Sequence, residues 1–208
     1  MVRQTGVANG TLPTTVPDVH KQPRPKLRRC IAITILTLIA LLGLAVLISW
    51  LAVRPRRLVY TIEDGKVKDF NLHNNHLNIT FDFFIKAYNP NNKVSLYYDS
   101  VEVIVSYDDQ TIAFDVVEPF YQPSSNVTKF EVKPMAKSVS LLGSVAKDLK
   151  FEKSSGQVEI DVRLKARIRF KLGIWKSSHY NLRVSCSSVV IHLHSSKSFE
   201  RTSCDVDT

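Results

Sequence analysis

The histidines and carboxylates of this 208-residue chain do not form a recognisable catalytic arrangement. His192 and His194 lie two positions apart in a β-like segment, so they share one face and could supply two metal ligands. No third ligand follows at a suitable spacing, and we interpret the two histidines as a surface pair. Asp108 and Asp109 lie in a turn-like segment, where carboxylates are usually solvated. The sequence therefore predicts no metal site.

Enzyme motifs with a local spacing are also absent from the sequence. The chain has no HExxH, CxxC or GxSxG pattern and no glycine-rich phosphate loop, and its 7 glycines leave little material for one. A catalytic set assembled only by the fold stays open, but no residue pattern argues for it. We predict a protein without enzymatic activity and without a cofactor.

A row of basic side chains is the strongest candidate for a binding surface. Apolar and charged residues alternate from position 158 to 171, which is typical of a strand with one buried and one solvated face. The row, called the basic ridge, consists of Arg163, Lys165, Arg167, Arg169 and Lys171. It spans roughly 26 Å at about 3.3 Å per residue. Acidic wall polysaccharide, anionic headgroups or an acidic protein would fit it. The alternatives are a plain solvated face or a face paired with acids on the neighbouring strand. Nucleic acid is not expected, because no aromatic-plus-basic motif is evident.

The elements that would position this ridge are mostly strands. Alternating segments occur at Leu77–Tyr88, Val101–Val105, Thr111–Val117, Val127–Val132, 158–171, Leu182–Cys186 and Val189–Leu193. Apolar residues recur on one helical face over Ser138–Leu149, which predicts a short helix. About seven short strands without βαβ alternation predict an antiparallel β-sandwich over residues 58–208.

An uncharged stretch of 24 residues, Cys30–Val53, precedes this domain. A helix of that length measures roughly 36 Å, enough to cross a bilayer core of about 30 Å, and Trp50 lies near one end as an interfacial aromatic would. A buried helix would not be apolar on every face, and a cleaved signal peptide would be shorter and closer to the N-terminus. We predict an uncleaved transmembrane signal anchor at residues 30–53.

The segments that flank the span are polar and basic. Residues 1–29 show no sustained helical or strand period and are predicted to be a disordered cytosolic tail. Residues 54–57 form a basic juxtamembrane linker. The formal charge of +9 and the 44% of hydrophobic residues suit a globular protein, and they exclude a wholly disordered or multi-span chain.

Basic residues alone do not decide which side of the membrane holds the domain. Within 15 residues of the span, five basic residues precede it and five follow it. Two glycosylation sequons begin at Asn78 and Asn126 in the C-terminal domain, and each is weak evidence for an exoplasmic location. We predict a cytosolic N-terminus and an exoplasmic C-terminal domain.

The three cysteines fit the same orientation. In an exoplasmic domain, Cys186 and Cys204 can form a disulfide that closes a loop of about 18 residues and stabilises the fold by roughly 3 kcal/mol. Cys30 then remains beside the membrane on the cytosolic side, where it is a candidate for palmitoylation. Three unrelated buried thiols are the alternative.

Several short motifs in a fixed order resemble a known family. They are Val53-Arg54-Pro55, Tyr88–Lys93, Leu96–Asp99, Pro119–Gln122 and Arg169–Ser177, followed by Cys186 and Cys204. Residues 30–208 resemble the NDR/HIN-like (NHL) family of plant membrane proteins, whose outer part is a late-embryogenesis-abundant group 2 domain. One departure is Pro123, where the family usually has glycine. The resemblance implies a β-sandwich of fibronectin-III-like appearance with a short helix.

The motif residues Asn89, Pro90, Asn91, Tyr97 and Tyr98 are expected to be architectural. The Asn-Pro segment would end a long strand, and the two tyrosines would place one ring in the core and one on the surface. Gly173 would permit a turn that returns Trp175 to the domain.

The resemblance also implies a function. Members are single-pass plasma-membrane proteins linked to pathogen defence, the hypersensitive response and wall–membrane contact, and some associate with plasmodesmata. We therefore expect a non-enzymatic interaction module whose partners are the lipid bilayer, acidic cell-wall polysaccharide or membrane and defence proteins. A membrane-tethered folded protectant in abiotic stress is the alternative.

Overall fold

The computed structural model describes residues 25–53, 56–193 and 198–207. The chain divides into two compact units, Met1–Ala52 and Val53–Thr208. The disorder predicted for residues 1–24 and the position of His194 lie outside the described residues.

The first element is the helix α1, Pro25–Val53. Its stretch Lys26–Ile48 is long and apolar enough to cross a membrane, and none of it is buried against protein. Thr34 and Thr37 donate their hydroxyls to the carbonyls of Cys30 and Ile33, so neither hydroxyl needs water. The disorder predicted for residues 25–29 is wrong, because proline suits a first helical turn and the lysine and arginines that follow favour helix.

The second unit is mainly antiparallel β-structure, as predicted. Its elements are β1 (Val59–His73), β2 (His76–Asn89), β3 (Val94–Tyr107), β4 (Gln110–Val117), β5 (Phe120–Gln122), β6 (Asn126–Val132), β7 (Met135–Ser140), α2 (Gly143–Ser155), β8 (Gln157–Leu172), β9 (Trp175–Lys176), β10 (Tyr180–His192) and β11 (Thr202–Asp207).

Strand pairing joins these strands in one hydrogen-bonded network with the order β5-β3-β4-β7-β2-β1-β11-β10-β8-β9. β6 pairs with β2, and an additional β3–β8 pairing closes the path on itself. Eleven strands replace the seven or so that we predicted. Leu182–Cys186 and Val189–Leu193 were counted as two strands, but β10 runs through Cys186 and Val189 with a register shift between them.

The short helix lies later in the chain than predicted. Ser138–Ser140 belong to β7, where Val139 lies opposite Leu77 of β2. Helical spacing of the apolar residues could not reveal this pairing. α2 begins at Gly143, buries Val145, Ala146 and Leu149, and ends at Gly156, whose left-handed φ of 79° caps it.

The two ends of the β domain differ in which chain segments they hold. Val59 pairs with Tyr88, and Val94 pairs with Leu172, so the starts of β1 and β3 share one end with the close of β8. We call this the proximal end. The opposite, distal end holds the His73–His76 turn, the Asp108-Asp109 turn and α2. The predicted turn at Asp108 and Asp109 is confirmed, and both residues adopt positive φ.

The core lies between the inward faces of the long strands. Its largest fully buried side chains include Tyr60, Ile62, Phe81, Phe83, Tyr98 and Leu164. Phe81 and Phe83 stack with ring centroids 5.6 Å apart. On β8, every second residue from Val158 to Ile168 is buried, which turns the intervening charged residues outward.

Candidate functional site

The basic ridge lies on the outward face of β8. Val162, Leu164 and Ala166 are buried, and the alternating Arg163 and Lys165 are exposed. β8 is flanked by β3 on one side and β10 on the other. The ridge is therefore held on the middle strand of three, where two neighbours fix its backbone.

One ridge member is bound to an acid. The Arg169 Nε donates to Asp99 Oδ2 over 2.8 Å, and its Nη2 contacts Asp99 Oδ1. This two-point hydrogen bond lowers the pKa of the Asp99 carboxyl below its ordinary value. The His179 ring Nε2 lies 3.3 Å from the same carboxylate. Arg169 thus anchors β8 to β3, and its charge is largely compensated.

Other ridge members keep their charge available. Arg163 approaches Asp109 only at 3.8 Å, with both side chains solvated, so this pair is weak. In the part of the chain that the structure describes, Lys165, Arg167 and Lys171 form no ion pair. We infer that the binding capacity of the ridge lies in these residues.

Arg183 adds a second row to the ridge, and we did not predict it. Arg183 lies on β10 directly opposite Lys165, and both side chains are exposed. The sequence held a signal for it, because Leu182 and Val184 were expected to face the core and a residue between them must face outward.

A pair of tyrosines lies at the proximal end of the ridge. Tyr97 and Tyr121 contact each other with ring centroids 4.7 Å apart. The Lys176 Nζ lies 4.7 Å from the Tyr97 ring, and the Lys171 Nζ lies 5.9 Å from both rings. Aromatic faces beside ammonium groups suit ligands that combine a ring or a sugar with a negative charge.

Asn89 and Asn91 form a hydrogen-bonded knot at the proximal end. Asn89 is fully buried and donates from Nδ2 to the carbonyls of Val94 and Pro123. Its Oδ1 accepts from the backbone N–H and from the Nδ2 of Asn91. Asn91 in turn accepts from the N–H of Arg56 over 2.6 Å and donates to the Arg56 carbonyl over 2.9 Å.

The knot explains two features of the sequence. Asn91 fixes the chain where it enters the β domain, so the predicted architectural role of Asn89 and Asn91 has a definite partner in Arg56. The departure at Pro123 is harmless to the knot, because Asn89 uses the carbonyl of that residue.

A second buried network lies beside the knot. The Tyr60 and Tyr98 hydroxyls are 2.5 Å apart, and Tyr98 donates to Gln122 Oε1. Gln122 Nε2 donates to the Ala87 carbonyl over 2.9 Å. Burial raises the pKa of Tyr98 to about 12, so both tyrosines stay neutral and serve as structural hydrogen-bonding groups. Tyr98 is buried and Tyr97 half-buried, as the sequence predicted.

The turn between β8 and β9 differs from the prediction. Gly173 adopts a positive φ of 59°, as a tight turn requires. The prediction that Trp175 returns to the domain is wrong. Its side chain is 61% exposed, and the neighbouring Ile174 is fully exposed. β9 has only two residues and pairs with β8 alone, so no further strand covers it.

The structure places all three cysteines and the two predicted sequons. Cys186 and Cys204 form a disulfide that links β10 to β11, with Cα atoms 4.2 Å apart. Cys30 is a free, exposed cysteine on α1. Asn78 and Asn126 are both exposed. The sequence holds a third sequon, Asn9-Gly10-Thr11, which we did not predict and which lies outside the described residues.

Further polar side chains line two surface grooves. His192 lines a groove of about 540 Å³ with residues of β1. Within the described ranges, no group of three or more His, Cys, Asp or Glu side chains could hold a metal ion. At the distal end, five carboxylates line a groove of about 420 Å³; they are Asp108, Asp148, Glu152, Glu159 and Asp161.

The fold and its surface define a β-domain protein with an N-terminal apolar helix compatible with a single-pass membrane anchor. A sequence model of the family described as Late embryogenesis abundant protein matches residues 84–186. Uncharacterized protein At1g08160 of Arabidopsis thaliana is 37% identical over 84% of this chain and 81% of its own length. NDR1/HIN1-like protein 3 of the same plant is 35% identical over 83% of this chain and 78% of its own.

NDR1/HIN1-like protein 10 of Arabidopsis thaliana is 30% identical over 83% of this chain and 80% of its own length. The chain therefore belongs to the NDR1/HIN1-like family and carries a late embryogenesis abundant domain, which confirms the predicted family. It is a plant protein related to stress and defence.

Proposed function

We propose that the protein is a single-pass plasma-membrane protein whose exoplasmic β domain binds acidic cell-wall polysaccharide and so links wall and membrane. The ridge on β8 and β10 carries this proposal. Lys165, Arg167 and Arg183 are exposed on a rigid sheet next to the tyrosine pair. Among the described residues they form no ion pair within 4 Å, although Glu102 lies opposite Lys165 and Asp207 lies opposite Arg183. A linear polyuronate offers carboxylates at regular intervals and sugar faces between them, which matches both features.

The membrane orientation of this proposal has separate support. The disulfide between Cys186 and Cys204 favours an oxidising, exoplasmic compartment, and the exposed Asn78 and Asn126 are accessible to glycosylation. Cys30 then lies on the cytosolic side, where we propose that it is palmitoylated and strengthens the anchor.

The experiment measures binding of the full chain in nanodiscs to polygalacturonate. Replacing Lys165, Arg167 and Arg183 by glutamate should weaken binding about tenfold or more at low salt, because several ion pairs are lost and repulsion replaces them. The matched control is Lys137→Glu, Lys147→Glu and Lys150→Glu, an equal charge change at exposed positions of β7 and α2.

Equal binding of wild type and ridge variant would contradict the proposal, and so would an equal loss in the control. Absence of polymer binding together with protection of the vesicle bilayer during drying would favour a membrane-tethered protectant instead.

A further inference from the structure

The β8–β9 turn presents two large apolar side chains to solvent. Ile174 is fully exposed, and Trp175 is 61% exposed beside it. The turn is well ordered by hydrogen bonds, because the Phe170 N–H donates to Ser177 Oγ and the Ser177 N–H donates to the Phe170 carbonyl. Adjacent exposed apolar side chains at the tip of a turn are typical of a surface that contacts another apolar phase.

Lysines surround this apolar tip. Lys171 and Lys176 pair directly across the β8–β9 turn. Lys93 is exposed and precedes Val94, which lies opposite Leu172 at the base of the turn. An indole and an alkyl group with ammonium groups around them match a bilayer surface, where tryptophan lies at the headgroup level and lysine reaches phosphate.

The position of the tip in the fold favours the same ligand. The tip belongs to the proximal end, where Asn91 holds Arg56 by two hydrogen bonds. Only residues 54–57 separate Val53, the last residue of α1, from Leu58. The tip thus lies at the end of the β domain where the chain enters that domain.

We propose that the β8–β9 turn binds the surface of an anionic lipid bilayer, with Ile174 and Trp175 inserted at the headgroup level and Lys93, Lys171 and Lys176 on lipid phosphates. This inference rests on the proposed membrane anchor, and Lys171 is the residue that it shares with the basic ridge. Membrane contact at the tip would fix the orientation of the domain on the bilayer.

The test uses the full chain with Cys30→Ser, reconstituted in nanodiscs that contain an anionic phospholipid and a lipid spin-labelled in its headgroup. An environment-sensitive fluorophore is attached at Ile174→Cys. The matched control carries the fluorophore at Phe151→Cys, an equally apolar and 74% exposed position on α2 at the distal end.

We expect loss of emission by spin-label quenching at position 174 and none at 151. Lys171→Glu with Lys176→Glu should abolish the quenching, and Trp175→Ser should reduce it.

The outcomes separate this inference from the proposed function. A protein that elutes with the discs but shows equal emission at 174 and 151 overturns the inference alone. Quenching that the lysine variant leaves unchanged overturns the assignment of anionic lipid. A chain that does not elute with the discs overturns the membrane anchor, and the inference with it.

Discussion

At the scale of single residues, buried asparagines rather than a catalytic group define the proximal end of the domain. Asn89 and Asn91 satisfy backbone groups of the nearby Val94 and of Arg56 and Pro123, which lie 35 and 34 residues from their asparagine partners. Side-chain amides can do this because each carries both donors and an acceptor in one plane. A buried amide therefore replaces backbone pairing where the chain enters the domain.

The Asn89 side chain is expected to contribute strongly to stability. Asn89→Ala leaves two buried carbonyls and the Asn91 amide without their partner, which should lower the free energy of unfolding by about 3 kcal/mol. The neighbouring Asn92 is exposed, so Asn92→Ala is the matched control and should stay within about 0.5 kcal/mol of wild type. Pulse proteolysis against urea, with the full chain in nanodiscs, measures both. Equal midpoints for the two variants would contradict the structural role of the knot.

The asparagine motif also shows which structural features residue types alone can predict. An Asn-Pro-Asn segment predicts a strand end, because proline cannot donate to a ladder and asparagine accepts turn geometry. Its long-range partner was not predictable, since Asn91 and Arg56 are 35 residues apart and their contact depends on how β1 and β2 are placed. The ridge could be predicted from alternation. The ion pair that neutralises Arg169 could not, because its partner Asp99 lies 70 residues away in the sequence.

At the scale of elements, period-2 alternation identified β2, β3, β8 and β10. It missed β1, although that strand has 15 residues, and most of the short strands. β8 buries every second residue over most of its length, so the alternation in its sequence is enough to predict a strand. β5 has three residues and β9 has two, too few for any period to be visible. The last residues of β7, Ser138–Ser140, fall within the predicted helix because Val139 also fits helical spacing, and only pairing with β2 decides between helix and strand.

The disulfide between β10 and β11 is expected to hold the last strand in place. Replacing Cys186 and Cys204 by alanine should lower the free energy of unfolding by roughly 3 kcal/mol, because an 18-residue loop is no longer closed in the unfolded chain. β11 lies between β1 and β10 and has only six residues, so it should become the first strand exposed to protease. Pulse proteolysis against urea measures this change as well. Reductant should lower the unfolding free energy of the wild-type protein to that of the double alanine variant.

Cys30→Ser is the control for this comparison, because Cys30 is free and lies in α1. The serine variant should match wild type in oxidising conditions and lose stability to the same extent with reductant. A wild-type protein that reductant leaves unchanged would contradict the contribution of the bridge.

At the scale of the whole protein, charge separates along the β domain. The proximal end carries Arg56, Arg57, Lys93 and Lys176 on its surface, whereas the distal end has the groove lined by five carboxylates. An anionic bilayer would attract the first end, whereas the second combines these carboxylates with the exposed Lys147, Lys150 and Lys153 of α2. The net charge of +9 describes neither end, which is why composition alone could not assign the partner.

The three sequons allow the membrane orientation to be read from one chain. Oligosaccharide is transferred to asparagine only on the lumenal, exoplasmic side of the membrane, so the proposed topology predicts modification of Asn78 and Asn126 and none of Asn9. Asn78→Gln and Asn126→Gln should each remove one glycosidase-sensitive mass step, and Asn9→Gln should change nothing. Protease added to intact membranes should digest the C-terminal domain, because it lies outside. The opposite orientation would give the reverse pattern, with Asn9 as the modified site and the disulfide-bonded domain protected. Since Asn9 belongs to the same molecule, loss of all modification in the double variant also shows that the tail stayed on the cytosolic side.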